Sequence, residues 1–258
     1  MHVWLCKIVS KTDPYNRGDR YESTIEIILR DHGTLKPDFE RAGAAGNQPD
    51  LIFVHNEQEY NLEAKRDQNA DFGQKYLKWQ EKNKKFVWSV DDTATRLYTK
   101  VGVLDFINSV ENSRRFHLNK ISKSNDEITK IDNKEDQNFF DMNFKIPQDE
   151  DLLAQFYNDK NVYYIQIGKH SVTREGAKRA KKVQCGFYHL GSDPAGLGTQ
   201  KFDGYMLIRF RAKQIRSEPV YNYGLTAVLK YYPTIKPASN SKFNIEDDDE
   251  REFPPITP

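Results

Sequence analysis

Residues 49–65 read PDLIFVHNEQEYNLEAK, and this stretch decides how the surrounding chain folds. Two short runs of strand-forming residues flank a polar run, a pattern that predicts a β-hairpin. If Asp50 lies opposite Glu63, the centre of the turn falls between Asn56 and Glu57, in the middle of the polar run. The composition of the turn and the pairing of the two acids therefore indicate the same hairpin.

The second strand of this hairpin ends in Glu63-Ala64-Lys65. Because side chains alternate along a strand, Glu63 and Lys65 share one face while Ala64 points to the core. With Asp50, two carboxylates and one ammonium group then converge at one end of the hairpin. Carboxylate oxygens and the carbonyl of Ala64 are ligands that suit Mg²⁺. A lysine beside the metal can orient or deprotonate the water that attacks a phosphate group.

The same letters occur elsewhere in the chain, so the pattern alone is weak. Pro37-Asp38 is a second Pro-Asp pair, but no strand follows it. Asp132-Asn133-Lys134 is a second acid-x-Lys sequence, but it lies in a polar stretch. An ordinary surface hairpin with ion pairs is the alternative interpretation of the first site.

Periodicity predicts further elements and a mixed α/β domain. Helices are predicted over residues 19–31, 71–85, 101–116 and 152–157. Strands are predicted over residues 86–90, 162–167, 205–211 and 226–231. The domain spans residues 1–232, with a polar insertion, lobe or partner-facing segment at 119–151 and a proline-rich acidic tail at 233–258.

The stretch GDRYESTIEIILRDHG followed by NQPDLIFVHNEQEYNLEAK resembles the core of type II restriction endonucleases and related PD-(D/E)xK nucleases. The resemblance covers residues 18–90. It implies a restriction-endonuclease-like α/β core in which helices flank a mixed central sheet. In that superfamily a helix carrying a glutamate precedes the hairpin, which implies a catalytic or supplementary metal-binding role for Glu22. Glu26, one turn further on, is the alternative.

The resemblance also extends beyond the hairpin. In several restriction enzymes a Gly-Gln pair opens the next helix, and Gly73-Gln74 matches it here. The resemblance implies that Gln74 faces the metal centre or a phosphate, and a helix N-terminus also attracts anions.

Two basic series are candidates for DNA contacts. Residues 173–182, TREGAKRAKK, would supply phosphate contacts through Arg174, Lys178, Arg179, Lys181 and Lys182. Arg209 and Arg211 share one face of a predicted strand, and arginine can read guanine in the major groove.

The global composition narrows the function classes. The 258 residues carry 39 Lys and Arg against 38 Asp and Glu, a net charge of +1, which is unlike a general polyanion binder. No apolar run reaches about 18 residues, so no membrane span is expected. Cys6 and Cys185 are the only cysteines, too few for a disulfide framework. With no secretory signal predicted, we expect a cytoplasmic protein.

Three functions remain open. The first is a type II restriction endonuclease, a homodimer that cuts double-stranded DNA at a short specific site with Mg²⁺. The second is another PD-(D/E)xK nuclease, which serves repair or phage DNA or RNA processing. The third is a nucleic-acid-binding module with an inactive hairpin. The intact set of Asp50, Glu63 and Lys65 argues against the third.

Overall fold

The fold is seen in a computed structural model that describes residues 17–41, 48–67, 70–80, 82–109, 111, 142–147, 151–168, 185–215, 222–233 and 245. Within these ranges the elements are α1 (Arg17–Asp31), β1 (Leu51–His55), β2 (Gln58–Lys65), β3 (Gly73–Gln80), β4 (Lys85–Trp88), α2 (Thr93–Lys100), α3 (Val103–Asn108), β5 (Met142–Lys145), α4 (Leu152–Asn158), β6 (Val162–Ile167), β7 (Gly186–His189), β8 (Gly204–Ile215) and β9 (Asn222–Pro233).

The strands form two sheets. The four-stranded sheet has the order β1-β2-β6-β7, and the five-stranded sheet has the order β4-β3-β9-β8-β5. Strands β2 and β6 are parallel, so the four-stranded sheet is mixed, whereas the five-stranded sheet is antiparallel. A parallel pair needs a long crossover, and the described residues between β2 and β6 supply β3, β4, β5 and the helices α2, α3 and α4. The prediction of a mixed α/β fold is confirmed.

Helix α1 covers one face of the four-stranded sheet. Tyr21, Ile25 and Leu29 recur every four residues and pack in one buried cluster with Leu51 and Leu62 of the hairpin. This stripe is the one that predicted a helix over residues 19–31, and α1 confirms that prediction.

A larger cluster fills the space between the two sheets. Strand β6 contributes Ile165 and Ile167 from the four-stranded sheet, and β8 and β9 contribute Ile208 and Leu229 from the five-stranded sheet. Residues of α2, α3 and α4 complete it, including the fully buried Tyr98. The layers therefore run from α1 through the four-stranded sheet and the central core to the five-stranded sheet.

The helix predicted over residues 71–85 is wrong. The chain forms β3 there and pairs with β9 and β4. The spacing of Phe72, Tyr76 and Leu77 resembles a helical stripe, but the burial has a period of two. Leu77 and Trp79 pack into the core, while Tyr76 is exposed. Gln74 consequently lies within a strand, and the argument that it opens a helix fails.

Other predicted elements are confirmed with altered limits. Strand β6 has the predicted bounds, and α4, β4, β8 and β9 overlap their predictions. Helix α3 accounts for part of the helix predicted over 101–116, of which residues 110 and 112–116 lie outside the described ranges. Helix α2 was not predicted, although Asp92 and Thr95 form a capping box at its start.

Both the predicted insertion and the predicted tail contribute to the fold. Strand β5, from the 119–151 segment, pairs with β8. Ile245, from the 233–258 segment, is fully buried, and its backbone N–H donates to Gln166 Oε1 over 3.1 Å. In the part of the chain that is described, no helix has the length and apolar character to cross a membrane.

Gly73 supplies a test of the packing between β3 and the helices. A Cβ at this position would lie 2.6 Å from the Tyr98 hydroxyl oxygen and 3.0 Å from the Phe156 ring. We expect Gly73→Ala to lower the free energy of unfolding by about 1–3 kcal/mol in urea titrations.

A second variant identifies the cause of that loss. The Tyr98 hydroxyl is buried with no hydrogen-bond partner among the described residues, so Tyr98→Phe alone is expected to be nearly neutral. Combined with Gly73→Ala, it should restore part of the lost stability. A Gly73→Ala protein as stable as the wild type would contradict this packing.

Candidate functional site

The hairpin brings the two predicted acids together. Asn56 and Glu57 have φ angles of 50° and 63°, which is typical of the two-residue turn that matches the twist of paired strands. Leu51 pairs with Leu62, so the next position outward places Asp50 opposite Glu63. The turn and its register are those predicted from the sequence.

The Lys65 ammonium group lies between the two carboxylates. Lys65 Nζ forms an ion pair with Glu63 Oε1 and lies 3.8 Å from Asp50 Oδ2. The backbone N–H of Ala64 also donates to Asp50 Oδ2 over 2.9 Å. These contacts fix Asp50 against the end of β2, although Asp50 itself precedes β1.

The site is short of positive charge. Burial and then the negative charge of Glu63 raise the pKa of Asp50 to about 7, although Lys65 and the Ala64 N–H act in the opposite direction. Burial would lower the pKa of Lys65, but the charges of Glu63 and Asp50 outweigh it and raise that pKa above its usual value. Lys65 is therefore protonated, and its single positive charge is shared between the carboxylates of Glu63 and Asp50.

Tyr157 on α4 holds Glu63 from the other side. Its hydroxyl lies 2.9 Å from Glu63 Oε1 and 3.0 Å from the carbonyl oxygen of Phe72. A phenol has one proton, so it donates to one of these two acceptors at a time. Burial and the charge of Glu63 raise the pKa of Tyr157, which keeps the hydroxyl neutral. Sequence reasoning missed this contact because 94 residues separate its partners.

Glu22, the predicted supplementary acid, lies near this group. It is half-buried on α1, and burial raises its pKa while the charge of Lys65 lowers it and that of Glu63 raises it further. Glu26, the alternative, is engaged elsewhere: its Oε2 accepts an ion pair from Arg41 Nε at 2.9 Å. The pKa of Glu22 therefore responds to the charges of Lys65 and Glu63 in the hairpin.

Two lysines that the sequence did not single out also border the site. Lys160 follows α4, and its Nζ lies 4.7 Å from the centre of the Phe156 ring. Burial lowers the pKa of Lys160, the charge of Glu63 opposes this, and Lys75 lowers it further. Lys75 itself contacts Asp92 Oδ2 at 2.5 Å. Lys160 therefore lies within electrostatic range of Glu63, whereas the charge of Lys75 is paired with that of Asp92.

The predicted DNA-binding residues divide into two groups. Gln74 lies on β3, where its Nε2 donates to the Tyr76 hydroxyl over 2.9 Å. Arg209 and Arg211 lie two residues apart on β8 and share a face, and Arg211 Nη1 contacts Asp71 Oδ2 at 3.3 Å. The remaining predicted contacts lie outside the described residues: Arg174, Lys178, Arg179, Lys181 and Lys182.

Comparisons leave the family open. No protein-family model, curated protein or solved structure matches the chain. Among the described residues, no group of three or more His, Cys, Asp or Glu side chains is arranged to hold a metal ion. Any assignment of function therefore depends on the geometry of Asp50, Glu63 and Lys65 and on the chemistry of their neighbours.

The raised pKa of Asp50 predicts a pH-dependent stability. The folded protein keeps a proton on Asp50 up to about pH 7, whereas the unfolded chain loses it near its ordinary value of 3.8. Stability contributed by this group therefore falls as pH rises between those two values. Asp50→Asn retains an acceptor for the Ala64 N–H but cannot ionise.

We expect Asp50→Asn to gain about 1–3 kcal/mol of stability over the wild type on going from about pH 5 to about pH 8. Urea unfolding at the two pH values measures this difference. Asp31→Asn, which removes an exposed carboxylate at the end of α1, is the control. An Asp50→Asn gain that does not grow with pH would contradict the charge balance described above.

Proposed function

We propose that this protein is a metal-dependent nuclease of the PD-(D/E)xK superfamily that hydrolyses phosphodiester bonds in double-stranded DNA. The observation that carries the proposal is the convergence of Asp50, Glu63 and Lys65 at one end of a hairpin, in contact with one another. A surface hairpin with incidental ion pairs would not need Glu63 to be 8% exposed and held by a buried tyrosine.

The surrounding architecture supports a restriction-endonuclease-like core. A helix with a half-buried glutamate precedes the hairpin, and β2, which carries Glu63 and Lys65, pairs with a parallel strand after a long crossover. The resulting sheet is mixed. Helix α1 packs on one of its faces, and α4 reaches Glu63 through Tyr157.

The side chains present suit Mg²⁺. Their oxygens are hard ligands of the kind this ion prefers. Burial and then the charge of Glu63 raise the pKa of Asp50 despite the presence of Lys65, and a bound cation would stabilise the ionised carboxylates. Asp50 and Glu63 would hold the ion, together with the carbonyl of Ala64. Glu22 would contact the ion directly or through a water molecule. When bound, Mg²⁺ would polarise the phosphate and lower the pKa of a bound water.

The protein's own groups have separable roles. Lys65 remains protonated, so it is expected to orient the attacking water and to offset charge on the phosphate rather than to act as a base. Glu22, whose pKa is raised, is the candidate acceptor for the proton of that water. Tyr157 fixes the orientation of Glu63.

Within this class, we propose a type II restriction endonuclease that acts as a homodimer in the cytoplasm. A two-fold symmetric protein matches a palindromic site, because each subunit reads one half. The alternatives are a repair or phage nuclease without strict site specificity and an inactive binding module. Digestion of a sequenced plasmid separates all three, since they give discrete bands, a smear or no cleavage.

Substitutions at the hairpin test the catalytic assignment. Asp50→Ala and Lys65→Ala should each lower the rate of Mg²⁺-dependent plasmid cleavage by about 100-fold or more, because each removes a group that acts on the reacting phosphate. Binding of a labelled duplex, followed by fluorescence anisotropy in metal-free buffer, should persist. Glu26→Gln, on the same helix as Glu22 but paired with Arg41, is the matched control. Cleavage by Asp50→Ala at the wild-type rate would exclude this site.

Metal affinity provides an independent readout. Binding of a cation must remove the proton that Asp50 holds below about pH 7. The apparent affinity for Mg²⁺ in calorimetry should therefore rise with pH up to about pH 7, by at most about tenfold per pH unit for one proton, and then level off. Asp50→Asn should weaken binding and remove the slope. Affinity independent of pH would argue against Asp50 as a ligand.

A further inference from the structure

The five-stranded sheet carries charge of only one sign. Its strands contain no aspartate or glutamate, although the whole chain has nearly equal numbers of acids and bases. Lysine and glutamate are both disfavoured in strands, so strand propensity does not explain the asymmetry. The cationic residues of these strands are Lys75, Lys78, Lys85, Lys145, Arg209, Arg211, Lys213 and Lys230.

Most of these cations lie on one side of the sheet, which we call the outer face. Alternation along the strands turns Leu77, Ile208 and Leu229 toward the core. The neighbouring positions in register form the opposite side. We define the outer face by the described side chains Gln74, Tyr76, Lys78, Lys85, Asn143, Lys145, Tyr205, Arg209, Arg211 and Lys230. Lys230 is buried, as are Leu207, Thr226 and Val228 on the same side, so the accessible part of this face consists of its flanks.

The register arranges these residues in rows across the strands. Gln74 pairs with Val228, which pairs with Arg209, which in turn pairs with Asn143. Adjacent strands are about 4.8 Å apart, so this row spans about 14 Å. The next row joins Tyr76 to Arg211 through Thr226. Backbone pairing therefore sets the spacing between these polar residues before any ligand binds.

Aromatic rings lie among the cations. Tyr76 is 42% exposed and Tyr205 is 39% exposed, and both belong to the outer face. Guanidinium and ammonium groups bind phosphates, and exposed aromatic rings stack on bases. Apart from Asp71, which pairs with Lys230 and Arg211, this face presents cations, amides and aromatic rings, a combination that suits a nucleic acid.

The outer face is joined to the carboxylate group by two adjacent residues. Asp71 contacts Lys230 Nζ at 2.5 Å and Arg211 Nη1 at 3.3 Å. Phe72, the next residue, offers its carbonyl to Tyr157, whose hydroxyl also contacts Glu63. The segment that links β2 to β3, immediately after the hairpin that carries Glu63 and Lys65, therefore contacts both the outer face and the carboxylate group.

We infer that the outer face of the five-stranded sheet binds the phosphodiester backbone of nucleic acid and leads it to the site at the hairpin end. The inference rests on the proposed nuclease function only for what happens to the bound strand, which is cleavage at the hairpin end. The backbone contacts themselves depend only on the charge and register of the sheet.

The experiment removes charge from the two flanks of the outer face. Lys78→Gln combined with Lys145→Gln neutralises two exposed cations on opposite flanks of the sheet. Arg30→Gln combined with Arg96→Gln removes two exposed cations from helices, each paired with a nearby acid, and is the control. Each protein is titrated against a labelled duplex and the corresponding single strand in metal-free buffer over a range of salt concentrations.

We expect the Lys78 and Lys145 double variant to bind duplex about tenfold more weakly and to lose about 0.9 from the slope of log affinity against log salt for each lost phosphate contact. The control should match the wild type. Tyr76→Leu should weaken single-strand binding more than duplex binding if the ring stacks on bases. An unchanged salt slope in the double variant, or an equal loss in the control, would overturn the inference.

The two proposals fail in different ways. If the wild type binds DNA through these lysines but does not cleave it with Mg²⁺, the nuclease proposal fails and the binding face stands. If the wild type cleaves DNA and the double variant keeps both its affinity and its salt slope, the binding face fails and the nuclease proposal stands. Circular dichroism of each variant checks that the sheet is intact.

Discussion

The contact of Lys65 with Glu63 and Asp50 is the interaction around which this structure is built. Two carboxylates that lose most of their hydration repel each other and are costly to bury, so their approach requires a cation at the same place. The hairpin register brings these carboxylates to the same place. The Ala64 N–H then contacts Asp50, and the Tyr157 hydroxyl contacts Glu63. Burial and the charge of Glu63 together raise the pKa of Asp50, so the stability of the protein depends on the protonation state of this group.

The two sheets differ in the charge of the side chains that their strands carry. Strand β2 of the four-stranded sheet carries Glu63 of the site, whereas the strands of the five-stranded sheet carry cations and no acids. A balanced net charge therefore conceals a strong local asymmetry. For an enzyme acting on a polyanion, this separation allows the substrate to be attracted over a broad surface while the carboxylates remain at one point. Lys75 and Lys160 lie near that point.

Sequence reasoning succeeded where the determinants are local. The hairpin turn and α1 depend on residues close together in the chain, so the turn at Asn56-Glu57 and the stripe of Ile25 and Leu29 were enough to predict them. It failed where partners are distant. Strand β3 is specified by pairing with β9, and a window of eight residues around Tyr76 does not contain that partner. The contact of Tyr157 with Glu63 is beyond any local pattern for the same reason.

The burial of Ile245 gives the segment that follows β9 a structural role. A residue far along an acidic, proline-rich segment supplies the hydrogen bond that the fully buried Gln166 side chain needs, and it fills a position beside β6. Strand β6 is the parallel neighbour of the strand that carries Glu63 and Lys65. During synthesis on the ribosome, this part of the core is incomplete until residue 245 has emerged. The sheet that holds the carboxylates is thus finished only after β8 and β9 have been synthesised.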